Sequence, residues 1–167
     1  MLKSLYCRPA EMLGPYRDRI VRALDGFMKE FDASEDTEVS VYSAPGRTEI
    51  GGNHTDHQRG KVLTGSVDLD AIACAAPNGS NEVHIYSEGY GLTTVDISNL
   101  EPVKEEENTT KAIIRGTLAA ISSRGYEVKG FDAYVISTVL PGSGLSSSAA
   151  FEVLVGTIIN HLFFAGK

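Results

Sequence analysis

The sequence predicts an α+β fold, a mostly antiparallel sheet backed by helices, on three observations. Two stretches repeat apolar residues at helical spacing. Short apolar runs bounded by Gly and Pro read as strands between them. The last stretch is a helix so apolar on most faces that it needs a layer to lie against. The resulting order is helix, strand, hairpin, helix, strand, helix.

Residues 9–31 carry Ile20, Val21, Leu24, Phe27, Met28 and Phe31 at helical spacing, with Arg17, Asp18, Arg19 and Lys29 between them, and the acidic segment 32–38 ends that helix. Residues 39–45 alternate as a strand that Pro45-Gly46 should close. The run 69–77 is small and apolar enough to be a buried strand, and Asn78-Gly79 predicts a tight hairpin turn into 82–88. The charged stretch 98–109 reads as a solvated connection. Ile113, Ile114, Thr117, Leu118 and Ile121 share one side of a helix over 110–123, with Gly125 as its C-cap. Residues 131–138 form a strand, PGSG breaks the chain, and a third helix starts at Leu145. Because that helix is apolar on most faces, further chain is expected to cover it, and uncovered it predicts self-association.

A chain of 167 residues, 42% of them apolar, suffices for one domain with a real core. Its net charge of −7 argues against a nucleic-acid partner, which needs a basic stripe. A phosphate ligand is not excluded, since backbone amides and one Arg hold it locally. Two cysteines, Cys7 and Cys74, stand without a CxxC or a Cys/His cluster and read as reduced cytosolic thiols. The N-terminus lacks a secretory signal pattern, and the apolar C-terminal stretch is interrupted by Gly156, Asn160 and His161. A cytoplasmic protein without a membrane partner is expected.

Two segments carry chemistry. Residues 141–150, PGSGLSSSAA, lie between a strand and a helix. Glycines there let a ligand approach the backbone, and the helix start points N–H groups outward. Ser146, Ser147 and Ser148 add hydroxyls for phosphate oxygens or a metal. A Gly turn followed by a Ser-capped helix would explain the segment equally simply. No GxxxxGK[ST] occurs, so this is not a Walker loop. The second segment, 46–63, reads GRTEIGGNHTDHQRGKVL and gathers Arg47, Glu49, Asn53, His54, Asp56 and His57. Its spacing fits no strong zinc signature. Carboxylate, imidazole and amide groups flanked by glycines suit a ligand rich in hydroxyls, and Arg47 can face a phosphoryl group or a carboxylate. A plain polar surface loop is the simpler alternative.

Taken as a pair, the two segments resemble the motifs of the GHMP kinases, and specifically of the galactokinases. The first family motif reads approximately GRxNLIGEHTDYxxGxVL and the second PxGxGLSSSA, in this order and at this separation. The resemblance covers roughly residues 10–165 and implies the N-terminal domain of a GHMP kinase, with a helical segment (1–35), a sugar-binding motif (46–63) and a phosphate-binding loop (141–150). It implies transfer of the γ-phosphoryl group of Mg2+-bound ATP to the anomeric hydroxyl of galactose. By the same resemblance, Arg47 stabilises charge beside the transferred group. Asn53, His54 and Asp56 match sugar-binding positions. Gly142, Ser143, Gly144, Leu145, Ser146, Ser147 and Ser148 match the phosphate loop, with Ser148 on the magnesium side.

The chain departs from the family pattern at Asn53, where Glu is usual, at His57, where Tyr is usual, and at Pro141, one residue closer to GLSSS. The first departure leaves room for another sugar. The family's catalytic Asp lies in a motif beyond the third helix, so residues 1–167 alone are expected to show little turnover, with the domain incomplete. A non-catalytic sugar and nucleotide sensor is the other class the same motifs would serve.

Overall fold

In the computed structural model, which describes Tyr6, residues 9–52 and residues 60–164, the small apolar run near residue 70 becomes an interior strand of one sheet. Among the described residues the elements are α1 (Gly14–Glu30), β1 (Ser40–Gly51), β2 (Leu63–Pro77), β3 (Glu82–Ser87), β4 (Gly91–Asp96), α2 (Thr110–Ser122), β5 (Phe131–Ser137) and α3 (Ser147–Phe164). Short 3-10 turns occupy Ala10–Met12 and Lys104–Glu106. The strand order is β1-β2-β5-β3-β4, antiparallel throughout except for the parallel pair β3–β5. The expected α+β class holds.

β2 shows why its sequence lacks alternation. Ala71, Ala73 and Ala75 face a core built with Leu118, Leu154 and Ile158 of α2 and α3. Ile72, Cys74 and Ala76 face Ala23 and Phe27 of α1. Helices cover both sheet faces, so both side-chain sets are buried and the strand reads as continuously apolar. On α1 the buried positions are Ala23 and Phe27, whereas Val21 and Leu24 stay exposed.

The hairpin expected at Asn78-Gly79 does not form. β5 lies between β2 and β3, because β2 is covered on both faces and pairs along both edges, with β1 and β5. The segment after β2 instead crosses the start of β5. Asn78 N–H donates to the Gly130 carbonyl at 3.3 Å, and Gly130 N–H donates to the Ser80 carbonyl at 3.2 Å. Position 130 must be Gly for this crossing, since a Cβ there would sit 2.4 Å from the Ser80 oxygen and 2.6 Å from the Glu82 oxygen. The real hairpin is β3–β4, closed at Ser87↔Gly91.

Two further expectations change. Pro45-Gly46 does not end β1: a register shift between Pro45 and Arg47 absorbs the missing proline N–H, and the strand continues to Gly51. The charged connection 98–109 is not simply solvated. Glu106 and Arg115 of α2 are both buried and form a two-pronged pair, with Nε–Oε2 at 2.7 Å and Nη2–Oε1 at 2.8 Å. Arg115 also donates to the Asn99 carbonyl, so one α2 side chain staples the connection at both ends.

α3 starts at Ser147 and buries Ala150, Leu154, Val155, Ile158 and Ile159 against the sheet and α2. It is long and apolar enough to cross a membrane by length and composition. Its packing is that of a core helix, and Tyr42 of β1 hydrogen-bonds its His161 at 2.9 Å. The outward line, Glu152, Val153, Thr157 and His161, is mixed, with Val153 (58% exposed) its single large exposed apolar side chain. Phe151, Leu162, Phe163 and Phe164 are only partly buried, so sheet and α2 cover one face of the helix rather than all of it.

Candidate functional site

The register shift in β1 places Arg47 next to the glycine-rich segment that follows β5. Arg47 N–H donates to the Leu145 carbonyl at 3.1 Å. Its Nε donates to the Ser146 hydroxyl at 3.1 Å, and its Nη2 lies 3.9 Å from Glu49. The two segments singled out by sequence thus touch at one side chain, which remains 39% exposed.

The glycine-rich segment is a turn followed by a helix start. Gly142 and Gly144 both take φ of 75°, the left-handed region that glycine enters without strain. Ser146 takes φ of 60°, a costly value for a residue with a Cβ, and its carbonyl accepts from Ala150 N–H in the first turn of α3. Such strain persists where surrounding contacts hold it, here the Arg47 bond. The Ser143 hydroxyl is spent inside the turn, donating to the Leu140 carbonyl at 2.6 Å and accepting from Leu145 N–H at 3.4 Å. Ser147 and Ser148 instead line a cleft of about 720 Å³.

That cleft runs from the start of α3 to the start of α2. Tyr90 of the β3–β4 turn, Asn108, Thr109 and Ile113 form its far side, with Phe151 and Val139 on the near side. Thr109 caps α2, its hydroxyl accepting from Ala112 N–H at 3.3 Å, and Asn108 takes φ of 63°. The volume matches small-molecule sites, which are mostly apolar with a few polar groups. Sequence reasoning missed this wall. Its signal was the Asn-Thr-Thr cap at 108–110, hidden at the end of an acidic run. The sequence-derived positions Asn53, His54, Asp56 and His57, and Cys7, lie outside the described residues. Gly51 of β1 pairs with Leu63 of β2, both within the 46–63 segment.

Electrostatic shifts concentrate away from the cleft. The Arg115 hydrogen bonds hold Glu106 below the ordinary carboxylate value, and the same pairing raises Arg115. Burial pushes the Cys74 thiol up to about 11. Among the described residues no group of three or more His, Cys, Asp or Glu could hold a metal ion. The Ser147 and Ser148 hydroxyls at the cleft would supply oxygen ligands of the kind magnesium takes.

Comparison with known proteins gives these features a family. Residues 25–77 match the family described as the galactokinase galactose-binding signature, and residues 108–167 the one described as the GHMP kinases N terminal domain. A galactokinase of Lactococcus lactis is 32% identical over 130 residues, 75% of this chain and 32% of that protein. One from Limosilactobacillus reuteri is 30% identical over 145 residues, 82% of this chain and 37% of that protein. The chain thus spans about a third of the length of these relatives. The crystal structure of Lactococcus lactis galactokinase complexed with galactose superimposes with a TM-score of 0.76 at 29% identity, over 87% of this chain and 38% of that one. Methanococcus jannaschii mevalonate kinase shares the fold alone, at a TM-score of 0.63 and 12% identity, over 78% of this chain and 42% of that one. With both signatures in place and the same fold beneath them, the chain belongs to the galactokinase family of the GHMP kinases and corresponds to its N-terminal portion.

Proposed function

We propose that this chain supplies the sugar-binding and nucleotide-binding portion of an ATP-dependent galactokinase that makes galactose 1-phosphate. The observation that carries the reading is the Arg47 Nε to Ser146 Oγ bond of 3.1 Å, which joins two motifs 99 positions apart beside the cleft. In this reading the cleft takes the nucleoside, and Tyr90 and Phe151 offer apolar surface to its base. The segment 142–148 takes the phosphates, with left-handed glycines leaving the backbone open and the α3 start offering N–H groups. Asn53, His54 and Asp56 hold the sugar hydroxyls.

The residues present fit a magnesium nucleotide: Ser148 is exposed at the cleft and offers the oxygen ligand the ion prefers. The ion, when bound, neutralises phosphate charge. Transfer breaks the bond between the γ-phosphorus and the ADP oxygen and forms one to the C1 oxygen of the sugar, whose proton passes to a base. In this reading the base comes from the part of the galactokinase relatives that this chain does not span. Arg47 stabilises charge on the transferring group, a role that positioning and electrostatics dominate in phosphoryl transfer.

Asn53 favours a second reading, a kinase of the same family acting on another hexose, because an amide replaces the usual carboxylate against a hydroxyl. A hexose panel assayed for ADP release with the complete gene product separates the two. Galactose giving the highest kcat/KM supports the first reading, and another sugar leading by tenfold or more, ~1.4 kcal/mol, supports the second. Binding of sugar and ATP without turnover by any hexose would instead identify a sensor.

A further inference from the structure

A buried polar node on the α1 side of the sheet leads directly into both halves of this site. Asp70 of β2 and Arg19 of α1 form an ion pair whose side chains are 8% and 11% exposed. Asp70 Oδ2 also accepts from the Ser43 hydroxyl at 2.6 Å and from the Tyr6 hydroxyl at 2.9 Å. Arg19 Nη1 donates to the Thr138 hydroxyl at 3.1 Å. That hydroxyl donates to the Asp70 carbonyl at 3.0 Å and accepts from Asp70 N–H at 3.1 Å. Thr138 N–H closes the ring on the same carbonyl at 2.9 Å.

The members of the node are not scattered. Ser43 precedes Arg47 on β1, and Thr138 is the first residue after β5, opening the segment that becomes the glycine-rich turn. Val139 and Leu140, next in the chain, line the cleft. Stability alone explains the node poorly. A buried ion pair is often replaced without loss by apolar residues, as Ile72 and Ile136 pack on this same face. Arg19 Nε is moreover buried with no hydrogen-bond partner among the described residues, a cost an apolar side chain would not carry. What an apolar pair cannot do is fix two strand ends in one register.

We propose that Arg19, Asp70 and Thr138 are positioning residues that set Arg47 and the 139–146 segment at the spacing needed to hold nucleotide phosphates. This rests on the phosphate-loop reading above. The chemistry served is that of a polyphosphate ligand, so the measurable signature is the extra affinity that phosphates give over the bare nucleoside.

The test titrates ATP and adenosine, each with magnesium, into the complete gene product and its Asp70→Asn, Thr138→Val and Ser43→Ala variants. The wild type should bind ATP more tightly than adenosine. Asp70→Asn and Thr138→Val should weaken ATP on the order of 10- to 100-fold and leave adenosine unchanged. Thr138→Ser, which keeps the hydroxyl, should restore the wild-type ratio. Ser43→Ala, the mildest change, keeps the test usable if Asp70→Asn fails to fold, and it too should lower the ratio. Variants that lose thermal stability but keep the wild-type ratio of ATP to adenosine affinity overturn the proposal while leaving the phosphate loop intact. A wild type that binds both ligands equally removes the phosphate-loop reading and this proposal with it.

Discussion

At the scale of single residues, Arg47 is the side chain that joins the two sequence motifs. It is a half-exposed cation in a protein of net charge −7, bonded to a serine held at φ of 60°. In the proposed kinase, Arg47→Ala should lower kcat by about 10²–10³ with an unchanged circular dichroism spectrum. A loss confined to KM would mean that Arg47 only binds ground-state ligand. Glu106 offers an independent check. Its folded-state value is depressed by Arg115, so the pair stabilises the fold above the unfolded value of about 4.3. That contribution is lost as pH falls through the lower folded value. Wild type should therefore melt higher than Glu106→Gln at pH 7, with the gap closing on acidification through the carboxylate range. A gap constant with pH would contradict the charged pair. Cys74, its thiol pushed up to about 11 by burial, should stay unmodified by iodoacetamide at neutral pH in the folded protein, as read by peptide mass mapping.

The elements show which physical signals the sequence carried. Period and composition made β2, α1, α2 and α3 legible, since burial leaves a direct mark on residue type. Strand pairing was not legible in the same way. Asn78-Gly79 does make a local turn, its side-chain oxygen accepting from Ser80 N–H, yet Asn78 also bonds Gly130 and Asp132 at and beside a strand some fifty positions later. Local turn chemistry cannot report which strand will be interposed. Likewise Glu106 looks like one solvated charge among several until Arg115 is brought against it. Both motifs that mark the family were legible, but the cleft wall at Tyr90, Asn108 and Thr109 was not, because it is made by distant elements. Two substitutions test the element-level account. Gly130→Ala should destabilise by about 1–3 kcal/mol or more, since its methyl meets backbone oxygens that cannot rotate away. Ile158→Ala, in the fully buried face of α3, should cost about 2–5 kcal/mol by thermal or urea unfolding. A neutral Gly130→Ala would show that the crossing of 78–81 over β5 is misplaced.

At the scale of the whole molecule, helices cover both faces of the sheet and the proposed site lies at one end. β1 delivers Arg47, β5 delivers the glycine-rich turn, and the N-termini of α2 and α3 open on the cleft between them. The chain spans about a third of the length of its galactokinase relatives. The measurement that bears most directly on the account is 31P NMR of the complete gene product incubated with galactose, ATP and magnesium. A galactokinase gives a new phosphomonoester resonance, coupled to the anomeric proton of galactose, growing in step with ADP. Binding of galactose and ATP with no sugar phosphate formed, or phosphate released to water instead of sugar, would contradict it.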